Sequence, residues 1–431
     1  MKETDKKEKI EEVLTRGVSA ISPSKEELRK KLSSESLRVY LGVDPTGPNL
    51  HLGHLTNLLV LKRLQNLGHE IIFLIGDFTA QIGDPSGKVS TRRSLTEDKV
   101  KENMSTFKEQ VSHIISFVES NRSSKIKPAE IKFNSKWYKK MPLGMFMKEI
   151  GYFTVRNMLQ RDMFKARKED QNEENWLDAI CLKELVYPIL QGYDGVVPDM
   201  DVDIEVGGND QIFNMSIGRA LRVAHSKEGS EPKTKPGEKF FIATTLLVNP
   251  KTGKKLMNKS EGGLINLDDP PAEIFGKVMA LDDYSMFPVA EFCTEMDLAR
   301  INELRKSTTP RKMNPRDAKM EIAEEVVRTI YGEGEAQKAR LGFERVFSKK
   351  DTASSDFPIL PVDPRKDRML YDVIVKSGVV KTKSRARILI KQGSIQQNGK
   401  QVEKNPLAGI QFLRDGDVLK IGKHSFFRVK I

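Results

Sequence analysis

Two histidines, His51 and His54, stand three residues apart with Gly53 between them. This spacing places both imidazoles on one face of the start of a helix, where backbone N–H groups favour an anion such as phosphate. A metal pair is an alternative, but no cysteine and no further histidine lies nearby, and we expect no protein metal site. A purely structural role is the other alternative. The residue types favour a phosphate-binding site in which Gly53 lets a flat ligand approach the backbone.

The elements around the histidines predict an α/β fold. Residues 39–43 form an apolar run typical of a buried parallel strand, and residues 44–49 break it with turn-forming residues. Leucines at helical spacing follow until Gly68, and residues 70–75 form a second buried strand. Strand, helix and strand make a right-handed parallel unit, whose carboxyl edge is where such sheets bind ligands. Residues 1–35 are expected to form two helical pieces around residues 17–24.

Composition restricts the class of protein. At 431 residues the chain is long enough for two or three domains, and 38% of it is hydrophobic. Its two cysteines form no metal-ligand or disulfide pattern, which predicts a reducing, cytoplasmic location. No stretch is long and apolar enough to span a bilayer, and we expect no membrane association.

Positive charge is concentrated in the last 66 residues. Residues 366–431 hold 15 Lys and Arg against 5 Asp and Glu, a balance of +10 out of the total of +12. A compact basic segment is typical of a nucleic-acid binder, although a solvated basic surface is an alternative.

Two further polar patterns could carry chemistry. Tyr187, Gln191 and Asp194 share one helical face, which either points to water or lines a site in which each group has a partner. The glycine pair Gly207-Gly208 follows an expected strand over residues 201–206 and precedes Asp210 and Gln211, an arrangement that suits a ligand lying against the backbone. Residues 83–88 look superficially like a P-loop, but the segment is one residue too short.

These motifs resemble those of the class I aminoacyl-tRNA synthetases. Their HIGH signature appears as residues 51–54, and the preceding Asp-Pro-Thr of residues 44–46 narrows the resemblance to the tyrosyl enzymes. Residues 207–211 match the family's Gly-Gly-x-Asp-Gln. Residues 256–260 match its mobile KMSKS loop except at Leu256 and Asn258, and residues 366–431 resemble the RNA-binding domain named after ribosomal protein S4.

The resemblance implies a fold class and a domain order. We expect a Rossmann-like catalytic domain with a parallel sheet over residues 1–269, binding tyrosine and ATP, and a helical anticodon-side domain over residues 270–347. A linker over residues 348–365 and a small α+β, S4-like domain over residues 366–431 would follow.

The resemblance also implies a tyrosine pocket. Asp194 would accept the phenolic proton of the substrate, with Tyr40 as a second partner of that hydroxyl, and a buried carboxylate left unpaired by phenylalanine would reject it. Thr79, Asp84, Tyr187 and Gln191 would hold the ammonium end and Gln211 the carboxyl end. The expected tyrosine-binding residues are Tyr40, Asp44, Thr79, Asp84, Tyr187, Gln191, Asp194 and Gln211.

For ATP the resemblance implies positioning and charge stabilisation without an obvious acid or base. Asp210 would hold the ribose, and Mg²⁺ is expected to bind through the phosphates rather than in a protein cage. The expected ATP-binding residues are Gly42, Gly53, Gly208, Asp210 and Met257. The expected catalytic residues are Thr46, His51, His54, Lys88, Arg92, Lys259 and Ser260. Lys254 or Lys255 could replace the lysine missing at position 256.

The implied activity is that of a tyrosine–tRNA ligase, which makes tyrosyl-adenylate and transfers tyrosine to the 3′ end of tRNA(Tyr). Arg385, Arg387 and Lys391 would contact RNA phosphates. A homodimer is expected, with residues 141–163 as a candidate interface. Two alternatives remain open: a tryptophanyl enzyme, against which Tyr40 and Asp194 argue, and a catalytically weak RNA-binding paralogue, suggested by Leu256 and Asn258.

Overall fold

The fold is that of a computed structural model. It describes residues 3–84, 95–118, 126–160, 180–227, 239–258, 263–308, 314–348, 357–380, 382–405, 407–422 and 425–431. The chain divides into two compact units, one ending at Ala336 and one beginning at Gln337. Helices and strands are numbered along the described residues.

The first unit is built on a six-stranded sheet. Its strands are β1 (Val18–Ser22), β2 (Arg38–Val43), β3 (Glu70–Ile75), β4 (Glu130–Phe133), β5 (Ile204–Gly208) and β6 (Phe240–Thr244). Their order across the sheet is β1-β6-β5-β2-β3-β4. Strands β2 to β6 are parallel, and β1 joins the edge antiparallel to β6. The expectation of an α/β domain with a parallel, Rossmann-like sheet is confirmed.

Helices cover this sheet. Those before the glycine-pair strand β5 are α1 (Glu3–Thr15), α2 (Lys25–Ser34), α3 (Leu52–Asn66), α4 (Thr79–Ile82), α5 (Glu97–Met104), α6 (Phe107–Ser112), α7 (Ser135–Tyr138), α8 (Leu143–Gly151), α9 (Val155–Leu159) and α10 (Leu182–Asp194). A short 3-10 turn, Asn209–Gln211, then leads into α11 (Ile212–Lys227).

The strand order creates a cleft in the middle of the sheet. From β2 the chain moves outward through β3 to β4, and then returns to place β5 on the other side of β2. Helices on the two sides of such a switch diverge, so a crevice opens at the carboxyl ends of β2 and β5. The histidines, the glycine pair and the turn after β2 all follow these two strands.

The N-terminal segment contains one strand that was not predicted. Residues 1–35 form the two expected helices, α1 and α2, and Val18–Ser22 between them forms β1. The run Val-Ser-Ala-Ile-Ser is short and weakly apolar, and its strand conformation depends on hydrogen bonds to β6, more than 200 residues away in sequence.

A helical region completes the first unit. Its helices are α12 (Pro271–Met279), α13 (Met286–Cys293), α14 (Leu298–Ser307), α15 (Pro315–Tyr331) and the start of α16 (Glu333–Ser348). Helix α15 packs on α12 and α13, and α13 packs on α3. The side chain of Arg16 ties this region to the N-terminal helix by donating to the Thr294 carbonyl at 2.8 Å.

The second unit has its own sheet and core. It contains β7 (Ile359–Pro361), α17 (Leu370–Lys376), α18 (Lys383–Lys391), β8 (Ile395–Gln397), β9 (Lys400–Gln401), β10 (Val418–Ile421) and β11 (Ser425–Lys430). The mixed sheet has the order β7-β11-β10-β8-β9, with only β7 and β11 parallel. A buried apolar cluster that includes Leu370, Ile374 and Ile390 joins α17 and α18 to it. Strand β7 lies inside the stretch expected to be a linker. The expected domain boundaries otherwise remain predictions.

Across the described ranges, no helix combines the length and the apolar character needed to cross a membrane.

Candidate active site

A cavity of about 300 Å³ lies at the carboxyl edge of the sheet. It brings together sixteen of the predicted tyrosine, ATP and catalytic residues from distant parts of the chain, although their individual roles remain predictions. These are Tyr40, Gly42, Asp44, Thr46, His51, Gly53, His54, Thr79, Asp84, Tyr187, Gln191, Asp194, Gly208, Asp210, Met257 and Gln211.

The loop after β2 is held by two buried amides. Asn103 donates its amide to the Pro45 carbonyl at 2.9 Å, and Gln110 accepts from the Leu50 N–H at 2.7 Å and donates to the Pro48 carbonyl at 2.9 Å. Both amides are almost fully buried, so water does not compete for these bonds. The bonds hold in place a loop that contains two prolines and a glycine and has no helix or strand of its own. Thr46 therefore has a defined place on the cavity rim.

The two histidines begin helix α3 and face the cavity. His51 is the N-cap, and its Nδ1 accepts from the Gly53 N–H at 3.1 Å, while Nδ1 of His54 accepts from the His51 N–H at 3.1 Å. The ring centroids are 4.1 Å apart. Since each Nδ1 is an acceptor, each neutral ring carries its proton on Nε2, where it can donate to a ligand.

Burial and the neighbouring His51 lower the pKa of His54 to about 3. His54 is therefore a neutral donor across the physiological pH range. A neutral N–H at a helix N-terminus can stabilise developing phosphate charge without having to exchange a proton.

Asp194 is a buried carboxyl with two side-chain donors. It is only 4% exposed; Trp137 donates its indole N–H to one carboxyl oxygen at 2.9 Å, and Asn134 donates to the other at 3.2 Å. Burial nevertheless raises the pKa of Asp194 to about 8. A carboxyl with this desolvation cost gains strongly from a further hydroxyl partner inside the cavity.

Tyr40 lies in the same part of the cavity. Its ring is 1% exposed and belongs to the same buried cluster as Trp137 and Tyr138. Burial, and then the charges of Glu205 and Asp194, raise the pKa of the Tyr40 phenol. Its hydroxyl therefore remains protonated and donates to the Gln191 carbonyl at 3.5 Å.

Asp44 organises the middle of the cavity. It accepts from the Thr79 hydroxyl at 2.7 Å and from the Tyr187 hydroxyl at 2.8 Å. Asn134 donates to the Thr79 oxygen at 2.9 Å and thereby links this group to Asp194. With their protons committed to Asp44, Thr79 and Tyr187 present oxygen lone pairs, which suit a cationic ligand group.

Two glycines are required by close approach. A Cβ at Gly208 would lie 2.7 Å from an Asp210 carboxyl oxygen, and a Cβ at Gly53 would lie 2.9 Å from the His51 ring. Gly53 was expected to make room for a ligand; in the structure the space beside it holds the His51 ring, so the glycine also permits the N-cap contact.

The hairpin after β6 brings a lysine to the cavity. Lys255 donates to the Asp210 carboxylate at 2.8 Å and pairs with Val248 as an isolated bridge. Both Lys255 and Met257 line the cavity, whereas Lys254 does not. Four predicted catalytic residues, Lys88, Arg92, Lys259 and Ser260, lie outside the described residues.

No group of three or more His, Cys, Asp and Glu side chains suited to a metal ion occurs in the part of the chain that the structure describes.

The predicted RNA-binding residues lie in the second unit, on α18. Arg385 and Lys391 are exposed, whereas Arg387 is half-buried with its guanidinium 4.3 Å from the centre of the Tyr371 ring. Lys383 approaches the same ring at 5.5 Å. Residues two apart on a helix point in different directions, so Arg385 and Arg387 do not share a face.

Sequence reasoning missed several side chains that line or support the cavity. Asn57 follows His54 by one helical turn, which was a usable signal, and it accepts from the Thr244 hydroxyl at 2.6 Å. Glu205 lines the cavity, but it was expected only as part of the strand over residues 201–206. Trp137 follows the carboxyl end of β4, where a side chain can reach the site.

Comparison with known proteins agrees with this geometry. A model of the family described as tRNA synthetases class I (W and Y) matches residues 32–348. The chain is 35% identical to a tyrosine–tRNA ligase of Thermotoga maritima over 410 residues, which cover 94% of each protein. It is also 35% identical to "Tyrosine--tRNA ligase 2" of Clostridium acetobutylicum over 100% of both chains.

The fold is similar to that of solved structures. A C-terminally truncated mitochondrial tyrosyl-tRNA synthetase of Aspergillus nidulans superposes with a TM-score of 0.62 at 23% identity, over 79% of this chain and 94% of the other.

Proposed function

Because this chain belongs to the class I tRNA synthetases of the W and Y family, we propose that its cavity binds L-tyrosine and ATP in the orientation set out below. Its activity is that of a tyrosine–tRNA ligase, as in full-length relatives that are 35% identical. The same relatives favour tyrosine over tryptophan and an enzyme over an inactive RNA-binding paralogue.

The observation that carries the substrate assignment is the buried end of the cavity. Asp194, held by Trp137 and Asn134, would accept the phenolic proton of tyrosine, and the Tyr40 hydroxyl would be the second partner of the phenol oxygen. Phenylalanine would bury the carboxyl without the hydroxyl partner that tyrosine supplies. Sites that hydrogen-bond a substrate hydroxyl reject the analogue without it by about 10⁴ to 10⁵, and tyrosyl enzymes are themselves the known example.

The ammonium of tyrosine would lie among acceptors. Asp84 supplies negative charge, while Thr79, Tyr187 and Gln191 supply oxygens, and Asp44 keeps two of these groups oriented. Gln211 donates to Asp84 at 3.0 Å and stands at the end where the tyrosine carboxylate would lie. The charge of Asp84 for the ammonium and the phenol partners at the buried end would together fix the direction of the amino acid.

ATP would occupy the mouth of the cavity. Asp210 would hold the ribose beside Gly208, with Gly42, Gly53 and Met257 against the nucleoside, and Thr46, His51 and His54 would donate to the phosphates. Lys88, Arg92, Lys259 and Ser260 are proposed to add charge and hydrogen bonds during reaction. Mg²⁺ would accompany ATP through the phosphate oxygens.

In the first step a carboxylate oxygen of tyrosine attacks the α-phosphorus, the bond to the bridging oxygen breaks, and pyrophosphate leaves. In the second, a terminal ribose hydroxyl of tRNA attacks the activated carbonyl, and AMP leaves. The proposed contributions of the protein are positioning and charge stabilisation, with Nε2–H donors at both histidines.

Lys255 is the proposed replacement for the lysine missing at position 256. Of the two candidates, only Lys255 lines the cavity, and its contact with Asp210 places the ammonium beside the proposed ribose site. ATP binding would exchange this contact for ribose hydroxyls and release the ammonium toward the phosphates.

The second unit is proposed to be an S4-like domain that binds tRNA(Tyr). Its net positive charge and the exposed Arg385 and Lys391 support this role, while Arg387, packed on Tyr371, would present only part of its guanidinium.

A homodimer is proposed through the surface around α8 and α9. Apolar side chains there are unusually exposed, namely Leu143 (74%), Val155 (63%), Met147 (54%) and Met145 (40%). They fall within residues 141–163, the segment expected to form an interface, and exposed apolar patches of this kind mark association sites. Light scattering should give twice the 48.8 kDa chain mass; a monomer would exclude this proposal.

A cytoplasmic location is also proposed, in keeping with the two free cysteines, Cys181 and Cys293.

ATP–pyrophosphate exchange tests the proposed function. Tyrosine should support exchange and tryptophan should not. Exchange with tryptophan, or with neither amino acid, would contradict the assignment.

A further inference from the structure

Three side-chain amides form a continuous hydrogen-bonded chain between two carboxylates on the cavity wall. Gln211 donates to Asp84 at 3.0 Å, and Gln191 donates to Glu205 at 3.2 Å. Between them, Asn214 donates to the Gln211 oxygen at 2.8 Å and to the Gln191 oxygen at 2.7 Å. The order along the wall is Asp84, Gln211, Asn214, Gln191, Glu205.

The hydrogen bonds give each amide of this chain a direction. The NH₂ groups of Gln211 and Gln191 face carboxyl oxygens of Asp84 and Glu205, which accept from them. Their oxygens then face Asn214, which must be the donor to both. Asn214 is fully buried, so water cannot substitute for either partner.

Glu205 is the less expected of the two ends. It is 2% exposed on β5, and one of its carboxyl oxygens has no hydrogen-bond partner among the described residues. The positive charge of the buried Lys239 acts on Glu205. The Lys239 ammonium donates to the Gly195 carbonyl at 2.9 Å and lies 5.7 Å from the centre of the Tyr40 ring. Burial raises the pKa of Glu205, and the charge of Lys239 and the side chains of Tyr40 and Gln191 offset part of that cost.

We propose that Glu205 is a positioning residue for the ammonium group of the substrate, acting through Gln191. By binding the Gln191 NH₂, it keeps the Gln191 oxygen on the side shared by Asn214 and the cavity, where a second lone pair remains for an ammonium donor. A reversed amide would present NH₂ to the ammonium and repel it. This inference rests on the proposed tyrosine site and extends it to a residue that does not touch the substrate.

The variant Glu205→Gln tests this role, because glutamine can donate as well as accept and so allows Gln191 to reverse. Dissociation constants would be measured from intrinsic tryptophan fluorescence, since Trp137 adjoins the site. The two ligands are L-tyrosine and 3-(4-hydroxyphenyl)propanoate, which lacks the ammonium. We expect binding of tyrosine to weaken about tenfold, as for the loss of one charge-assisted hydrogen bond, and binding of the propanoate to change less than about twofold.

The matched control is Asp203→Asn, an acid-to-amide change two residues earlier, where the side chain accepts from the Arg38 N–H at 2.7 Å away from the cavity. It should affect neither ligand. If Glu205→Gln folds poorly because Lys239 loses its partner, the double variant Glu205→Gln, Lys239→Met removes the charge pair as a unit and should show the same selective loss.

Equal weakening of both ligands, or no weakening of either, would overturn the positioning role while leaving the proposed function intact. Failure of the unaltered protein to bind tyrosine would instead overturn the proposed function, and this inference with it.

Discussion

At the scale of single residues, the cavity is a set of polar groups whose hydrogen-bonding directions are already committed. Asp44 takes the protons of Thr79 and Tyr187, and the two histidines take backbone protons on Nδ1. Each commitment leaves a defined donor or acceptor facing the cavity. Groups preorganised in this way need little reorientation when charge develops, as the proposed catalysis by positioning requires.

The raised pKa of Asp194 has a consequence for stability. Its folded-state pKa is about 8, above the ordinary value of 3.8, so the folded protein holds this proton more tightly than the unfolded chain does. Stability is therefore lost as the pH rises from about 4 through 8. The variant Asp194→Asn has no carboxyl and so lacks this loss. The melting temperature of the variant minus that of the unaltered protein should therefore be at least about 2 °C larger at pH 9 than at pH 5.

Thermal unfolding of both proteins across that pH range is the measurement. A difference in melting temperature between the two proteins that stays constant with pH would show that burial does not raise the pKa of Asp194.

Individual residues also show how far sequence reasoning reaches. His51, His54 and Asp194 were predictable because a motif or a helical spacing marks them, and the structure places all three on the cavity. Trp137, Glu205 and Asn214 were not predicted, because aromatic residues and isolated acids or amides occur in many cores and surfaces. What distinguishes them is the partner each meets across the fold.

At the scale of elements, the ends of strands do most of the positioning. β2, β3, β5 and β6 each deliver residues to the cavity from their carboxyl ends, and α3 and α10 add one polar face each. Strand and helix types were predictable from apolar runs and spacing. The edge strand β1 was not, because its conformation depends on a distant partner.

The hairpin after β6 gives a prediction at this scale. Lys255→Met should lower the rate of pyrophosphate exchange by about 10²-fold, since it removes a cation from the proposed phosphate site. Lys254→Met, one residue away on the same turn, should change the rate less than about threefold. Adenosine, which has a ribose but no phosphate, should bind Lys255→Met at least as well as the unaltered enzyme, because Asp210 is released.

Steady-state exchange and adenosine binding separate these outcomes. A larger loss in Lys254→Met than in Lys255→Met would reverse the assignment of the replacement lysine.

At the scale of the whole molecule, we propose that catalysis and RNA binding belong to different units of the chain. The first unit holds the cavity, and the second has its own sheet and core. The concentration of positive charge in residues 366–431 was visible in the sequence. The packing of Arg387 on Tyr371 was not, because the two residues belong to different helices.

The double variant Arg385→Ala, Lys391→Ala tests this division. Tyrosine-dependent pyrophosphate exchange should be unchanged, whereas the KM for tRNA in charging should rise several-fold. The salt dependence of tRNA binding should become shallower by about one to two in log–log slope, as expected for one or two lost phosphate contacts. Equal losses in exchange and charging would refute a separate RNA-binding role.

The most direct test concerns the buried end of the cavity. The ratio of kcat/KM for tyrosine to that for phenylalanine would be measured by pyrophosphate exchange in the unaltered protein and in Asp194→Ala. We expect about 10⁴ to 10⁵ for the first and less than about 10² for the variant, because the carboxyl that needs the substrate hydroxyl as a further partner is gone. An unchanged ratio in Asp194→Ala would contradict the account.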